Sequence, residues 1–198
     1  MNIDVILGED DADNNVVIYR SYYNQSVSND VFCYLRDNLG FIQNTITLHN
    51  RTCDLPRLSC YMGDDDVNTH NYSGMVNNVK SWDYVCRNIR DEVSRLTGMT
   101  YDSALVNYYR DGKDYIAYHS DREAEGSHNS VAAVSFGCTR RFYFKNKHSN
   151  RVVKTYMSNG DLMVMKGNIN RLWKHTVPKQ SGVTQRISVT FRNLTGKV

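Results

Sequence analysis

The string Gln185-Arg186-Ile187-Ser188-Val189-Thr190-Phe191-Arg192 decides how the rest of the chain is read. In an extended strand, successive side chains point to opposite faces. Arg186, Ser188, Thr190 and Arg192 therefore share one face, and Ile187, Val189 and Phe191 share the other. The apolar face belongs against a core. The polar row, with an arginine at each end, faces either solvent or a ligand. The two Cα atoms stand roughly 20 Å apart along such a strand. Long side chains still let both guanidiniums converge on the ends of a small diacid through charge-assisted hydrogen bonds. An exposed edge strand gives the same alternation, and the string alone leaves that reading open.

Upstream of it the pattern is one of short strands. Residues 104–109, 115–119, 130–136, 141–145, 151–157 and 161–166 have strand character, with Asp111-Gly112 read as a hairpin turn and Asn159-Gly160 as a second turn. Eight or so antiparallel strands at this spacing predict a sandwich or barrel. Two helices precede them. Ser28 is the expected cap of the first, which carries Val31, Phe32, Leu35 and Leu39 on one face and stops at Gly40. The second is expected to start at Ser81, with Trp82, Val85, Ile89, Val93 and Leu96 at steps of three and four and Gly98 as its end. Residues 41–80 have no clear period and are expected to form a strand pair and a long loop. No linker, repeat or low-complexity tract divides the 198 residues.

Composition narrows the class. Hydrophobic residues make up 40% of the chain and charged residues 23%, as in a globular and not a disordered protein. No apolar run approaches membrane-spanning length. Asp4, Glu9, Asp10, Asp11 and Asp13 precede the first base, Arg20, which is unlike a secretory or mitochondrial leader. Cys33, Cys53, Cys60, Cys86 and Cys138 are odd in number and include no Cys-x-x-Cys pair, so free thiols in a reducing compartment are expected. The expectation is an intracellular protein, cytoplasmic or nuclear, that is not secreted. Net charge is only +3, but residues 140–198 hold 13 Lys/Arg against Asp161 alone. That segment carries +12 and the first 139 residues −9. A segment so basic can neutralise phosphates, although lysines on strand edges also discourage sheet-to-sheet aggregation.

His119 and Asp121 lie two apart, so they can aim at one metal from the end of a strand, and His175 can return to it from a distant one. Two imidazoles and a carboxylate hold Fe(II) on one face and leave positions open. A catalytic zinc site also uses three protein ligands. The discriminator is the pair Arg186 and Arg192, a clamp suited to a dicarboxylate beside the metal. His49, His70, His128 and His148 are the remaining imidazoles. There is no Gly-x-x-x-x-Gly-Lys-Ser/Thr loop and no Gly-x-Ser-x-Gly elbow.

The motifs Asn107-Tyr108-Tyr109-Arg110-Asp111-Gly112, His119-x-Asp121, Val134-Ser135-Phe136-Gly137, residues 160–165, His175 and Arg186-x-Ser188-x-Thr190-Phe191-Arg192 follow one another in order. Together they resemble the AlkB family of nucleic-acid dealkylases, closest to the animal DNA-repair branch. The resemblance covers about residues 100–195. It reaches back more weakly through Pro56-Arg57, Tyr61 and Tyr72-Ser73-Gly74.

The resemblance implies a mainly β fold with flanking helices (α+β), built on a double-stranded β-helix or jelly-roll core. It also implies a single dioxygenase domain over residues 1–198. About residues 1–100 would be a helical flank plus nucleotide-recognition lid, and about 101–195 the catalytic core. His119, Asp121 and His175 would bind Fe(II). Arg186 would take the distal carboxylate of 2-oxoglutarate and Arg192 the carboxylate near the metal, with Asn107, Tyr109, Ser188 and Thr190 completing the pocket. Ser188 departs from the Asn of some members. Tyr72 and Ser73 would belong to the lid, Tyr72 stacking on an extruded base against the His119 ring. Glu123 would sense the base edge. Arg57, from the Pro-Arg pair, and Arg140 and Arg141, from the basic segment, are expected at the nucleic acid. Where duplex-acting relatives place an apolar wedge, this chain has Leu48, His49 and Asn50.

The implied activity is O₂-dependent demethylation of bases such as 1-methyladenine and 3-methylcytosine, in DNA or RNA, by a monomer with no membrane partner. Two other readings share parts of the pattern: a 2-oxoglutarate oxygenase acting on a protein or small molecule, and a non-catalytic nucleic-acid-binding module.

Overall fold

The computed structural model describes residues 2–8, 11, 13–48, 51–65, 67, 70–72, 75–77, 79–121 and 130–196. In chain order these form β1 (Asn2–Leu7), β2 (Val16–Arg20), α1 (Gln25–Asn38), β3 (Ile42–Leu48), β4 (Arg51–Gly63), β5 (His70–Tyr72) and β6 (Met75–Asn77). They continue with α2 (Tyr84–Thr97), β7 (Ser103–Tyr109), β8 (Ile116–His119), β9 (Ser130–Gly137), β10 (Arg140–Asn146), β11 (Val152–Met157) and β12 (Leu162–Lys166). The one-turn α3 (Ile169–Leu172), β13 (Trp173–Val177) and β14 (Arg186–Arg192) complete the chain.

An eight-stranded sheet runs β1-β2-β12-β9-β14-β7-β4-β3, and a four-stranded sheet runs β11-β10-β13-β8. Both are antiparallel throughout. β5 and β6 form a separate hairpin. This mostly β arrangement of two facing sheets is the expected jelly-roll core with flanking helices.

The large sheet has two working faces. On one, Leu35 and Leu39 of α1 and Cys86, Ile89 and Val93 of α2 pack with Val106, Val134, Val164, Ile187, Val189 and Phe191. On the other, Val16, Ile18, Val131, Met163 and Met165 meet Ile116, Phe142, Phe144 and Val177 of the small sheet. β14 lies between β9 and β7, paired along its length with both. All seven of its residues are buried. The edge-strand reading of its polar row is therefore excluded, and the row faces the space between the sheets.

The helix starts differ from the sequence expectation. Asn24, not Ser28, caps α1, its side chain accepting from the Val27 amide at 3.0 Å. Ser28 sits in the first turn, fully buried, and donates to the Asn24 carbonyl at 2.8 Å. Asp83 caps α2 by accepting from Val85 and Cys86. Trp82 precedes that helix and stacks on Phe191, with ring centroids 6.4 Å apart. Leu96 is exposed, and Gly98 ends the helix in the left-handed conformation as expected.

The Asp111-Gly112 turn is not a hairpin. β7 belongs to the large sheet and β8 to the small one, so the turn carries the chain between sheets. Arg110 clamps it through Asp114 at 2.8 Å, and Gly112 packs so closely on the Gln180 carbonyl that a Cβ would lie 1.6 Å from it. The Asn159-Gly160 turn likewise crosses from β11 to β12. The first hundred residues are more than a helical flank, because β1 to β4 extend the large sheet on both sides. Arg20 ties the β2 end to Asp161 at 2.6 Å and to Asp4 at 2.7 Å.

Candidate active site

The small sheet supplies the imidazoles. His119, at the end of β8, and His175, in β13, are register partners, with ring centroids 4.3 Å apart. Alternation along β10 turns Phe142 and Phe144 inward, and Phe142 stacks on His175 at 5.4 Å and 14°. That contact fixes the ring plane. Asp121 follows two residues after β8, and the ligand atoms of His119, Asp121 and His175 all lie within 4.8 Å of one another. The Nδ1 of His119 lies 2.9 Å from the Ala117 carbonyl. An Nδ1–H donated there leaves the Nε2 lone pair for a metal.

Burial governs the electrostatics. It lowers the proton affinity of both imidazoles, and His175, which also faces His119, is pushed down to about 3. Both rings are neutral near pH 7 and ready to ligate, so the 3.5 Å contact between His175 Nε2 and Asp121 Oδ2 is not an ion pair. Burial opposes ionisation of Asp121, but Arg192 and the two imidazoles outweigh it and hold the carboxyl below the usual range. Arg192 Nη2 donates to Asp121 Oδ1 at 2.6 Å. Asp121 Oδ2 is buried and accepts no hydrogen bond. A buried carboxylate oxygen without a donor is costly, and a cation between the three residues would satisfy it.

The large sheet supplies the polar row. Arg186 Nε donates to Ser135 Oγ on β9 at 2.8 Å, while its Nη1 is buried with no hydrogen-bond partner. The guanidiniums of Arg186 and Arg140 lie 5.4 and 5.5 Å from the Tyr109 ring centroid. Asn107 Oδ1 accepts from Arg57 Nε at 2.9 Å. One cavity is lined by His119, Asp121 and His175, by Arg186, Ser188, Thr190 and Arg192, and by Asn107 and Tyr109. Leu105, Ile116, Ala133, Phe142, Met165 and Val177 make the remainder of its wall apolar.

Residues 15–192 match the 2OG-Fe(II) oxygenase superfamily. The DNA oxidative demethylase ALKBH2 of Homo sapiens is 30% identical over 189 residues, covering 89% of this chain and 72% of that protein. This chain is an AlkB-family 2OG-Fe(II) oxygenase. The oxygenase is also 28% identical to the human alpha-ketoglutarate-dependent dioxygenase alkB homolog 3, over 90% of its own length and 66% of that protein. The solved structure of OsALKBH1 shares the fold, with a TM-score of 0.65 at 17% identity over 90% of this chain and 97% of that one.

The family's enzymes are dioxygenases that use Fe(II) and 2-oxoglutarate, and the cavity fits both. The donor set of two neutral imidazoles and one carboxylate suits Fe(II). The Asp121 Oδ2 and Arg186 Nη1 atoms, buried without hydrogen-bond partners, are where a cation and a carboxylate would be satisfied. Among the described residues no other His/Cys/Asp/Glu cluster could hold a metal. His148 is exposed, and His49 and His128 lie outside the described residues.

The outer-contact residues divide. Arg140 is corrected: it is fully buried, donating to the backbone carbonyls of Asp111, Asp114 and Pro178, and cannot reach a phosphate. Arg57 is buried beside Asn107 instead of lying on an outer surface. Arg141 is exposed. Tyr72 ends β5, and Ser73 and Glu123 lie outside the described residues, as do His49 and Asn50 of the wedge stretch. Sequence reasoning gave no role to Ser135 or Phe142. Ser135 was detectable as a hydroxyl set within the apolar run 131–136. Phe142 was not, since an aromatic in a strand reads as core. The five cysteines are free thiols, and no helix among the described residues is long and apolar enough to cross a membrane.

Proposed function

We propose that this oxygenase removes N-linked methyl groups from nucleobases of the 1-methyladenine and 3-methylcytosine type in DNA and also in RNA, releasing formaldehyde, succinate and CO₂. The observation that carries the reading is the single cavity holding the His119–Asp121–His175 set and the arginine-ended row of β14 together. The nucleobase part is supported by the likeness to DNA oxidative demethylase ALKBH2 and by the concentration of base in residues 140–198.

The chain's residues divide the work. His119, Asp121 and His175 would hold Fe(II), which together with 2-oxoglutarate and O₂ would supply the oxidising power for attack on a C–H bond. Arg186 takes the distal carboxylate of the co-substrate, its Nε already fixed by Ser135 and its Nη1 open to the ligand. Arg192 would take the co-substrate's other carboxylate while it keeps Asp121 ionised and oriented. Asn107, held by Arg57, and Tyr109, between Arg186 and Arg140, line the cavity with Ser188 and Thr190 and would complete the co-substrate pocket. The apolar wall excludes bulk water. Tyr72, Ser73 and Glu123 recognise the base, and Arg141 contacts the backbone. The target nucleotide leaves its stack at a cost of a few kcal/mol, least for a damaged and unpaired base. The oxygenase works as an intracellular monomer.

The test is incubation of a 3-methylcytosine oligonucleotide with the protein, Fe(II), ascorbate and 2-oxoglutarate. Expected are loss of the methyl group and stoichiometric formaldehyde. Succinate formation without demethylation of any methylated base in DNA or RNA would move the enzyme to a protein or small-molecule substrate.

A further inference from the structure

The four-stranded sheet has an outer face that the metal site does not use. Alternation sends His175, Phe142 and Phe144 inward, so Arg141, Tyr143 and Lys145 of β10 point outward. Register places Tyr156 opposite Arg141, Lys154 opposite Tyr143, and Val152 opposite Lys145. On the other flank Thr176 pairs with Tyr143 and Lys174 with Lys145. Tyr118 lies on the edge strand β8, immediately before His119. Tyr143 is thus ringed by bases, with Lys154 Nζ 5.7 Å from its centroid.

Tyr118 is 40% and Tyr156 50% exposed and Tyr143 is half-buried, while Phe142 and Phe144 are buried; Arg20 lies over the Tyr156 ring at 4.3 Å, which leaves Tyr118 and Tyr143 as the rings nearest the site. β8, β10, β11 and β13 contain no acidic residue at all. Strands about 4.8 Å apart and same-face rows about 7 Å apart make a patch on the scale of a few nucleotides. The charge can follow a phosphate backbone, and the ring faces left open can take unstacked bases.

We propose that this outer face is a platform for single-stranded nucleic acid, whose bases stack on Tyr143 and Tyr118 while Arg141, Lys145 and Lys174 hold the phosphates. The proposal rests on the nucleic-acid reading above and gives it a strand preference. A duplex keeps its base faces stacked internally and offers these rings nothing. Four-stranded sheets with solvent-facing aromatics hold two or three unstacked bases in this way, and stacking is sequence-tolerant. Because Tyr118 adjoins His119, the platform starts at the rim of the site. The strand flanking a target base would be held there while the base itself enters the cavity. Lysines that served only to prevent sheet aggregation would need no tyrosines between them.

The experiment measures binding of the full chain to a labelled thymidine 15-mer and to a blunt duplex of equal length, at low and moderate salt, by fluorescence anisotropy. The 15-mer is expected to bind more tightly than the duplex. Tyr143→Ala is expected to weaken it about tenfold at both salts, the scale of one lost stacking contact, and Tyr143→Phe to restore it. The double variant Lys145→Glu/Lys174→Glu is expected to weaken binding and flatten its salt dependence. Equal binding of the 15-mer by wild type and all three variants, or tighter binding of the duplex, overturns the proposal. Turnover of a 3-methylcytosine trinucleotide, too short to cross the sheet, separates this from the demethylation reading. If Tyr143→Ala loses the 15-mer while neither protein turns over any methylated base, the platform stands and the demethylase falls. If the trinucleotide is demethylated and the variants bind the 15-mer normally, the reverse holds.

Discussion

The two sheets contribute to one cavity by opposite means. The large sheet presents its polar row from β14, a strand paired on both sides and buried over its whole length. The small sheet presents its imidazoles from β8 and β13, the first an edge strand of only four residues. What β8 lacks in pairing is made up by the contact of the His119 ring with His175, itself packed by Phe142 and Phe144, and by the Ala117 contact of His119. The arginine-ended row is therefore held by backbone ladders on both sides, as is His175 on β13, whereas His119 sits on a strand laddered on one side only. Arg192 joins the two, a β14 residue bonded to the metal-side Asp121.

Removing a ligand from the small sheet should have the largest effect. His175→Ala is expected to lose at least about a thousandfold in 2-oxoglutarate turnover, because the metal's contribution is worth several kcal/mol. It should lose Fe(II) binding in equilibrium dialysis while the fold, read by circular dichroism, persists. Cutting the joint comes next. Arg192→Leu leaves Asp121 buried and uncompensated, and should cost about 3–5 kcal/mol in urea unfolding as well as most activity. If it proves no less stable than wild type, the two sheets are not coupled through this pair.

A change confined to the large sheet should be smaller and cleaner. Arg186→Leu is expected to raise the KM for 2-oxoglutarate roughly 10- to 150-fold, the equivalent of about 1.5–3 kcal/mol for a charged hydrogen bond. Its Fe(II) affinity should stay within a factor of two, and a matching loss there would mean that the clamp and the metal set are one unit. The smallest effect concerns protons. His175 has a folded pKa far below that of a free imidazole, so the unfolded chain takes up a proton first as pH falls. Its contribution to stability is full above about pH 6.5 and declines as pH drops toward 3. Chelator-treated protein should lose about 1 kcal/mol from this group by pH 5.5. His175→Gln should flatten that part of the pH profile of Tm, and an unchanged slope would mean that the ring is already charged in the folded state.

Much of the site was legible because its chemistry follows a period of two. Arg186, Ser188, Thr190 and Arg192, and His119 with Asp121, can be placed on common faces by counting. What counting could not supply was the identity of the neighbouring strand. Asp111-Gly112 has the composition of a hairpin turn, yet it joins strands in different sheets, and only the long-range pairing of β7 with β14 and of β8 with β13 decides that. Arg140 and Arg141 are identical in type and adjacent, yet one is sealed by three carbonyls and the other is in solvent. Which arginine is buried depends on loops that arrive from residues 111–114 and 178. β1 and β2 escaped notice because a run of acids and asparagines separates them, and the burial of Val16 and Ile18 depends on β12, some 145 residues later.

β14 also bears on redesign. Its odd-numbered positions close the helix-side core and its even-numbered positions shape the cavity, while the ladders to β7 and β9 use only backbone. Foldability and the lining of the cavity are thus encoded in alternate letters of one seven-residue word. A library varying positions 186, 188 and 190 alone can search for acceptors of other 2-oxo acids without rewriting a core contact.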